Sequence, residues 1–195
     1  MTFGTSIKNA LRLFTLDEAA ISGISKEKES TGFGILIIII AGFCIAVGML
    51  LTSILMPSFQ TKINEVGQVI IIAAPVMLLL FSFIGIAVMF LIGRLFKGKA
   101  MFIDYYRPYS HIYISNWIAI IPVAGLFLSA LAGVYQIIQG IVITKTIQQV
   151  SMFKAALIIL IPFAVVFILG IALGIVFWRP FTEWFFTVSP LTPIS

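Results

Sequence analysis

The densest group of side chains able to do chemistry is the stretch from Asp104 to His111, which also holds three tyrosines, Arg107 and Ser110. If this stretch were catalytic, His111 would be the general base and Asp104 would orient it. However, the two are seven positions apart, and no nucleophile stands near the histidine in the sequence. Tyrosines beside an arginine that can pair with Asp104 or lipid phosphate are typical of a membrane interface. The stretch is therefore better explained as a structural segment at the membrane interface. We expect no catalytic residue and no enzymatic activity.

The residues that could hold a metal are sparse. The chain has one histidine, His111, and one cysteine, Cys44, whereas a zinc site needs three or four ligands. All seven Asp and Glu residues lie outside the long apolar runs, although a proton-coupled pump normally keeps such a group inside its membrane segments. We therefore expect no metal site, no cofactor and no proton-coupled pump.

Three amides interrupt the apolar sequence: Asn116, Gln136 and Gln139. Polar side chains in lipid turn toward protein, where interhelical hydrogen bonds contribute about 1 kcal/mol each. They can instead line a polar path between two spans. Hydrogen bonding between helices is the commoner outcome, and both remain open.

Basic residues follow or precede the apolar runs in a few short segments. Such positions attract anionic lipid headgroups, at about 1 kcal/mol per cation near the surface, and they also determine topology. The candidate contacts for lipid or a partner at the cytoplasmic face are Arg94, Lys97, Lys99, Arg107, Lys145 and Lys154.

The elements that must position these residues are membrane helices. Hydrophobic residues make up 61% of the 195, charged residues only 10%, and the mean hydropathy is +1.18, which excludes a water-soluble globule. Of four uncharged runs, the third covers 37 residues from Pro108 to Thr144, enough to cross twice with a turn at residues 121–125. The sequence thus predicts an all-α, polytopic protein with five spans, centred on residues 34–55, 69–90, 109–121, 124–143 and 155–177.

The positive-inside rule predicts a cytoplasmic N-terminus and an outside C-terminus. Five spans put ten of the twelve Lys and Arg inside, leaving Lys62 and Arg179 outside. A rival threading with one long third span gives nine against three, so charge alone hardly separates the two. Length favours five, although residues 109–121 are few for a full span and a re-entrant segment is the alternative.

The predicted organisation has three parts. Residues 1–31 form an amphipathic helix and a linker, because Phe3, Ile7, Leu11 and Phe14 recur at helical spacing. This helix lies either on the lipid surface or packed under the bundle. Residues 32–178 are the membrane domain, and residues 179–195 an aromatic interfacial tail. Small residues four apart predict close helix packing at Ser129, Gly133, Gly170 and Gly174.

Several segments together resemble the Yip1 domain family. They are residues 97–100 (Lys-Gly-Lys-Ala), residues 105–110 (Tyr-Tyr-Arg-Pro-Tyr-Ser), residues 120–122, residues 148–155 and residues 159–162, within a stretch from about Lys97 to Gly174. The resemblance implies a compact five-span protein with a cytoplasmic N-terminus. Eukaryotic members bind prenylated Rab GTPases and carry a long acidic N-terminal region with a Tyr-Gly-Pro motif. This chain has about thirty residues there without that motif, and so resembles the prokaryotic branch.

The sequence therefore predicts a non-enzymatic Yip1-type scaffold or adaptor in a prokaryotic plasma membrane. Its expected partners are anionic lipids at the cytoplasmic face, with a protein or a second copy of the chain as the further candidates, but not nucleic acid. A small transporter, channel or lipid-handling protein, with Asn116, Gln136 and Gln139 along its path, is the alternative.

Overall fold

The computed structural model describes residues 2–56 and 67–187, and of residues 67, 68, 126 and 172–187 it describes the backbone. Within these residues the chain is helical and contains no strand, which confirms the all-α prediction. The α-helices are α1 (Phe3–Arg12), α2 (Glu18–Lys26), α3 (Ser30–Leu55), α4 (Gly67–Leu95), α5 (Phe102–His111), α6 (Ala124–Gln148) and α7 (Met152–Thr187). Two 3-10 helices, Leu13–Thr15 and Ile112–Ile120, follow α1 and α5.

The chain divides into two compact units, Met1–Ile159 and Leu160–Ser195. The first contains α1 to α6 and the start of α7, and the second contains the rest of α7. This helix continues to Thr187, so no helix end marks the predicted boundary at residue 178. The aromatic side chains of the predicted tail lie outside the described residues.

Within the described part of the chain, four helices contain segments long and apolar enough to cross a membrane: Ser30–Leu55, Val69–Leu95, Phe127–Gln148 and Met152–Ile171. They match four of the five predicted spans. The remaining one, residues 109–121, is the end of α5 followed by the 3-10 helix Ile112–Ile120. The predicted break at residues 121–125 is confirmed, because the 3-10 helix ends at Ile120 and α6 begins at Ala124.

That break is a tight turn held by α3. The amide of Ala124 donates to the carbonyl of Pro122 at 2.7 Å around Val123, which has φ 61° and ψ −67°. Such γ-turns are rare and strained for a β-branched residue. The amide of Val123 donates to Thr52 Oγ1 at 2.9 Å, so a side chain near the end of α3 fixes the turn.

Glycines on α3 bring the neighbouring backbone into contact. A Cβ at Gly34 would clash with Ser110, and one at Gly48 with the carbonyl oxygen of Ala119. Together with the Thr52–Val123 bond, these contacts advance along both segments in the same direction. The end of α5 and the 3-10 helix after it therefore run parallel to α3, from its beginning to its end.

The return helix α6 brings the chain back to the end of α4. Gln148, the last residue of α6, accepts a hydrogen bond from the amide of Lys99 at 3.1 Å through its carbonyl oxygen. Its Oε1 accepts from the amide of Ala100 at 3.3 Å. The segment after α4 is thus tied to the C-terminal end of α6.

The two short N-terminal helices pack on this bundle. Asp17 caps α2 by accepting from the amides of Ala19 and Ala20 at 2.9 and 3.0 Å. The bond from Ala20, together with the Arg12 guanidinium, lowers the pKa of the Asp17 carboxyl. Ala10 on α1 is buried against Ile37 of α3 and Ile114 of the 3-10 helix. The packed alternative is therefore the one that the structure favours for this helix, although Leu11 points outward at 54% exposure.

Candidate functional site

Three separate stretches of the sequence that contain basic residues, 18–28, 94–107 and 145–154, meet at one end of the bundle. Lys145 Nζ pairs with Glu18 of α2 at 2.7 Å, the amide of Lys99 bonds Gln148 at 3.1 Å, and Arg107 Nη1 bonds the carbonyl of Ser25 at 2.6 Å. We call this region the charged end. Its members, beginning from the predicted contacts, are Arg94, Lys97, Lys99, Arg107, Lys145 and Lys154, with Lys26, Lys28 and Asp104 beside them.

Arg107 is a structural residue and not the surface contact that the sequence predicts. Its residue is only 8% exposed, and its guanidinium donates to Thr31 Oγ1 at 2.9 Å and to Asp104 Oδ1 at 3.1 Å, besides the carbonyl of Ser25. The bonds to Thr31 and Ser25 join the middle of α5 to the start of α3 and the end of α2. A buried guanidinium is stable only when its donors are satisfied in this way.

The other predicted contacts differ in how freely they face solvent. Lys145 is half-exposed and paired with Glu18, whereas Arg94, Lys97, Lys99 and Lys154 are exposed. Among these four, Arg94 donates to the carbonyl of Gly98 at 3.3 Å. The surface available to a lipid or a partner is therefore carried by four of the six predicted residues.

His111 has a different partner from the one considered in the sequence. Its Nδ1 donates to the carbonyl of Arg107 at 2.7 Å, which leaves Nε2 to accept from Ser6 Oγ at 2.7 Å. Asp104 pairs with Arg107 instead of the histidine. The hydroxyl that bonds His111 Nε2 is distant in the sequence, because α1 brings Ser6 from 105 residues away.

This Ser6–His111 pair has the atoms of a nucleophile and base but lacks access. Both residues are fully buried. A hydrolytic pair needs a site where a reacting carbonyl can approach the nucleophile and oxyanion donors, and enclosed side chains offer none. The bond is best understood as the anchor of α1 on the bundle, and the sequence offered no signal for it.

The amide side chains inside the bundle differ in their hydrogen bonding. Gln136 Nε2 donates to Ser115 Oγ at 2.6 Å and to Asn116 Oδ1 at 2.9 Å, which links α6 to the 3-10 helix. Gln139 is 1% exposed, and neither of its amide atoms has a hydrogen-bond partner among the described residues. Gln139 is therefore separate from the Gln136 cluster, and the three amides do not form one hydrogen-bonded row.

Two of the four small residues predicted to pack closely, Ser129 and Gly133, are not at the closest helix contacts. Ser129 bonds the carbonyl of Gly125 in its own helix at 2.6 Å, and a Cβ at Gly133 would meet no atom within 4 Å. Gly34, Gly42 and Gly48 make the close approaches instead. Gly170 lies in the second unit and Gly174 beyond the described side chains, so packing there stays a prediction.

A polar cavity of about 420 Å³ opens at the charged end. It lies between α2, the segment from Lys99 to Met101, the start of α5 and the end of α6. Its polar lining includes Ser22, Ser25, Lys26, Lys99, Asp104 and Thr146. No sequence pattern indicated it, because its residues come from four separate segments.

In a comparison with protein families, the family model of the Yip1 domain matches residues 12–174. The matched region is longer than the stretch that carried the resemblance in the sequence and includes α2, α3 and α4. Comparisons with curated proteins and with solved structures return no match.

Proposed function

The chain belongs to the Yip1 domain family and is an integral membrane protein, and from this premise we propose that it is a five-span scaffold whose charged end faces the cytoplasm and binds a partner protein. The observation that carries the proposal is the meeting of three distant basic stretches at the charged end. A surface that presents Arg94, Lys97 and Lys154 outward concentrates cations at the level of the headgroups, where an acidic partner is attracted.

Five crossings are supported by the geometry of the third span. From the Gly34–Ser110 contact to the Thr52–Val123 bond, α3 advances about 27 Å, close to the thickness of a hydrocarbon core. The neighbouring segment covers this distance with only thirteen residues because a 3-10 helix rises about 2.0 Å per residue. The Gln148–Lys99 bond then requires that α6 return to the side on which α4 ends.

A non-enzymatic role is supported by two observations. The Yip1 domain is not a known enzyme family, and the Ser6–His111 pair is enclosed. The polar path of the transporter alternative is also weakened, since Gln136 is occupied by Ser115 and Asn116.

The test is affinity purification of the full chain in native nanodiscs, with mass spectrometry of the co-purifying proteins. The variant Arg94→Glu/Lys97→Glu/Lys154→Glu reverses three exposed cations of the charged end, and the control Lys8→Glu reverses an exposed cation on α1 that is not one of its members. We expect a stoichiometric protein that the first variant loses and the second retains. Equal retention by the wild type and both variants would refute a partner site at these residues.

A further inference from the structure

The cavity at the charged end has an uneven distribution of charge. Lys26 and Lys99 line it, and neither forms an ion pair within the described part of the chain. The carboxylate in the lining, Asp104, is paired with Arg107 at 3.1 Å. Two cations in the wall are therefore uncompensated, which favours an anion inside.

Hydroxyl groups accompany these cations. Thr146 Oγ1 is buried in the wall without a hydrogen-bond partner among the described residues, and Ser22 also lines the cavity. Thr146 Oγ1 is itself covered from the cavity, and a buried hydroxyl without a partner lowers stability, so a ligand toward which the Thr146 side chain turns to donate is stabilised there. The lining thus holds two cationic side chains and three hydroxyl side chains, those of Ser22, Ser25 and Thr146, around one space.

The helix ends around the cavity do not decide whether it prefers an anion or a cation. α5 begins there without a side-chain cap, which favours an anion, whereas α2 and α6 end there and oppose it. The lysine side chains therefore determine the sign of the ligand. Its size follows from the volume of about 420 Å³, which is larger than an inorganic phosphate needs and suits a phosphate with an attached group.

We infer that this cavity binds a phosphate ester, with Lys26 and Lys99 contacting its oxygens and the Thr146 hydroxyl donating to it. The inference rests on the proposed function in one respect only, namely that the charged end, where the cavity opens, faces the cytoplasm. Two sources carry this chemistry: the headgroup of an anionic phospholipid and a soluble phosphate ester. The level of the charged end at the membrane surface suits the first, and the experiment separates the two.

The test measures binding to the purified full chain in phosphatidylcholine nanodiscs. One arm adds short-chain phosphatidic acid, read by native mass spectrometry, and the other adds glycerol 3-phosphate, read by calorimetry. The cavity variant is Lys26→Gln/Lys99→Gln, and the control is Lys28→Gln/Lys97→Gln, which removes the same charge outside the lining. Thr146→Val removes the unpaired hydroxyl with little change in shape, and its stability is measured in parallel.

We expect the cavity variant to bind about tenfold more weakly than the control, because two contacting cations are lost. Thr146→Val should weaken binding while unfolding at or above the wild-type temperature, which separates ligand contact from misfolding. Binding in the first arm assigns the site to lipid and binding only in the second to a soluble ester. Absence of binding in both arms, or equal affinity in the cavity variant and the control, would overturn the inference. Partner capture through Arg94, Lys97 and Lys154 is unaffected by that result, since these residues do not line the cavity.

Discussion

Ser6 Oγ lies 2.7 Å from His111 Nε2, and this bond joins the first helix of the chain to the beginning of the 3-10 helix. Both residues are fully buried. The His111 ring is held from its other side by the carbonyl of Arg107, so neither ring nitrogen is left without a partner. The pair is therefore a structural link between the N-terminal segment and the membrane bundle.

Ser6→Ala should destabilise the protein by about 1–3 kcal/mol, because it leaves Nε2 of a buried histidine without its donor. The measurement is thermal unfolding in detergent together with protease sensitivity of residues 3–12. Thr5→Ala is the control, since it removes a hydroxyl from an exposed position on the same helix. Equal melting temperatures for the two variants would show that the Ser6–His111 bond does not anchor α1.

Gln136→Leu and Gln139→Leu should change stability in opposite directions. The first removes the bonds to Ser115 and Asn116 and should cost about 1 kcal/mol for each. The second replaces a buried amide that has no partner among the described residues, and should stabilise by about 1 kcal/mol or more. Unfolding of both variants in the same detergent gives the comparison, and a loss of stability in both would contradict it.

The same two variants separate the scaffold from the transporter. If the protein is a scaffold, liposomes that contain Gln136→Leu, Gln139→Leu or the wild type should show the solute flux of empty vesicles. Wild-type flux that disappears in both variants would instead place the polar path in the membrane domain.

Gly48→Ala should be strongly destabilising, because its methyl group would collide with the carbonyl oxygen of Ala119 on the segment that runs beside α3. Overpacking of this kind typically costs about 1–3 kcal/mol. Gly32→Ala is the matched control on α3, where a Cβ meets no atom within 4 Å and helix propensity should improve by about 0.5–1 kcal/mol. Two variants of equal stability would show that the close contact at Gly48 does not form.

Cysteine labelling tests the five crossings. Cys44 is the single cysteine, so Cys44→Ser provides a background for Lys97→Cys and Lys154→Cys, both at exposed positions. We expect an impermeant maleimide to label both from the cytoplasmic side, and Lys62→Cys from the other. Labelling of Lys97→Cys and Lys154→Cys from opposite sides would mean that residues 102–121 do not cross.

Much of the fold could be predicted from local patterns. Long apolar runs located four helices, because crossing a membrane requires about 20 apolar residues whatever their neighbours are. Pro122 and Gly125 located the turn before α6, since proline cannot continue a hydrogen-bonded helix. The resemblance to the Yip1 family was confirmed and covers more of the chain than its quoted segments.

The backbone geometry of the third span could not be predicted in the same way. The sequence shows that residues 109–121 are few for a crossing, but not that the backbone changes from α to 3-10 geometry at Ile112. That change depends on α3, whose glycines admit the segment and whose Thr52 bonds the turn at its end. A local pattern does not contain such contacts.

By itself, then, the sequence determined an all-helical membrane protein, its turn at residues 121–125 and the grouping of its basic residues along the chain. Only the tertiary structure decided that Arg107 is buried and that Ser6 bonds His111. It also decided that the Gln136 amide has hydrogen-bond partners, whereas the Gln139 amide has none among the described residues. Lys26 and Lys99 line one cavity for the same reason. The physical reason is that hydropathy and charge act residue by residue. Pairing between segments tens of residues apart depends on how each helix is rotated and shifted against its neighbours.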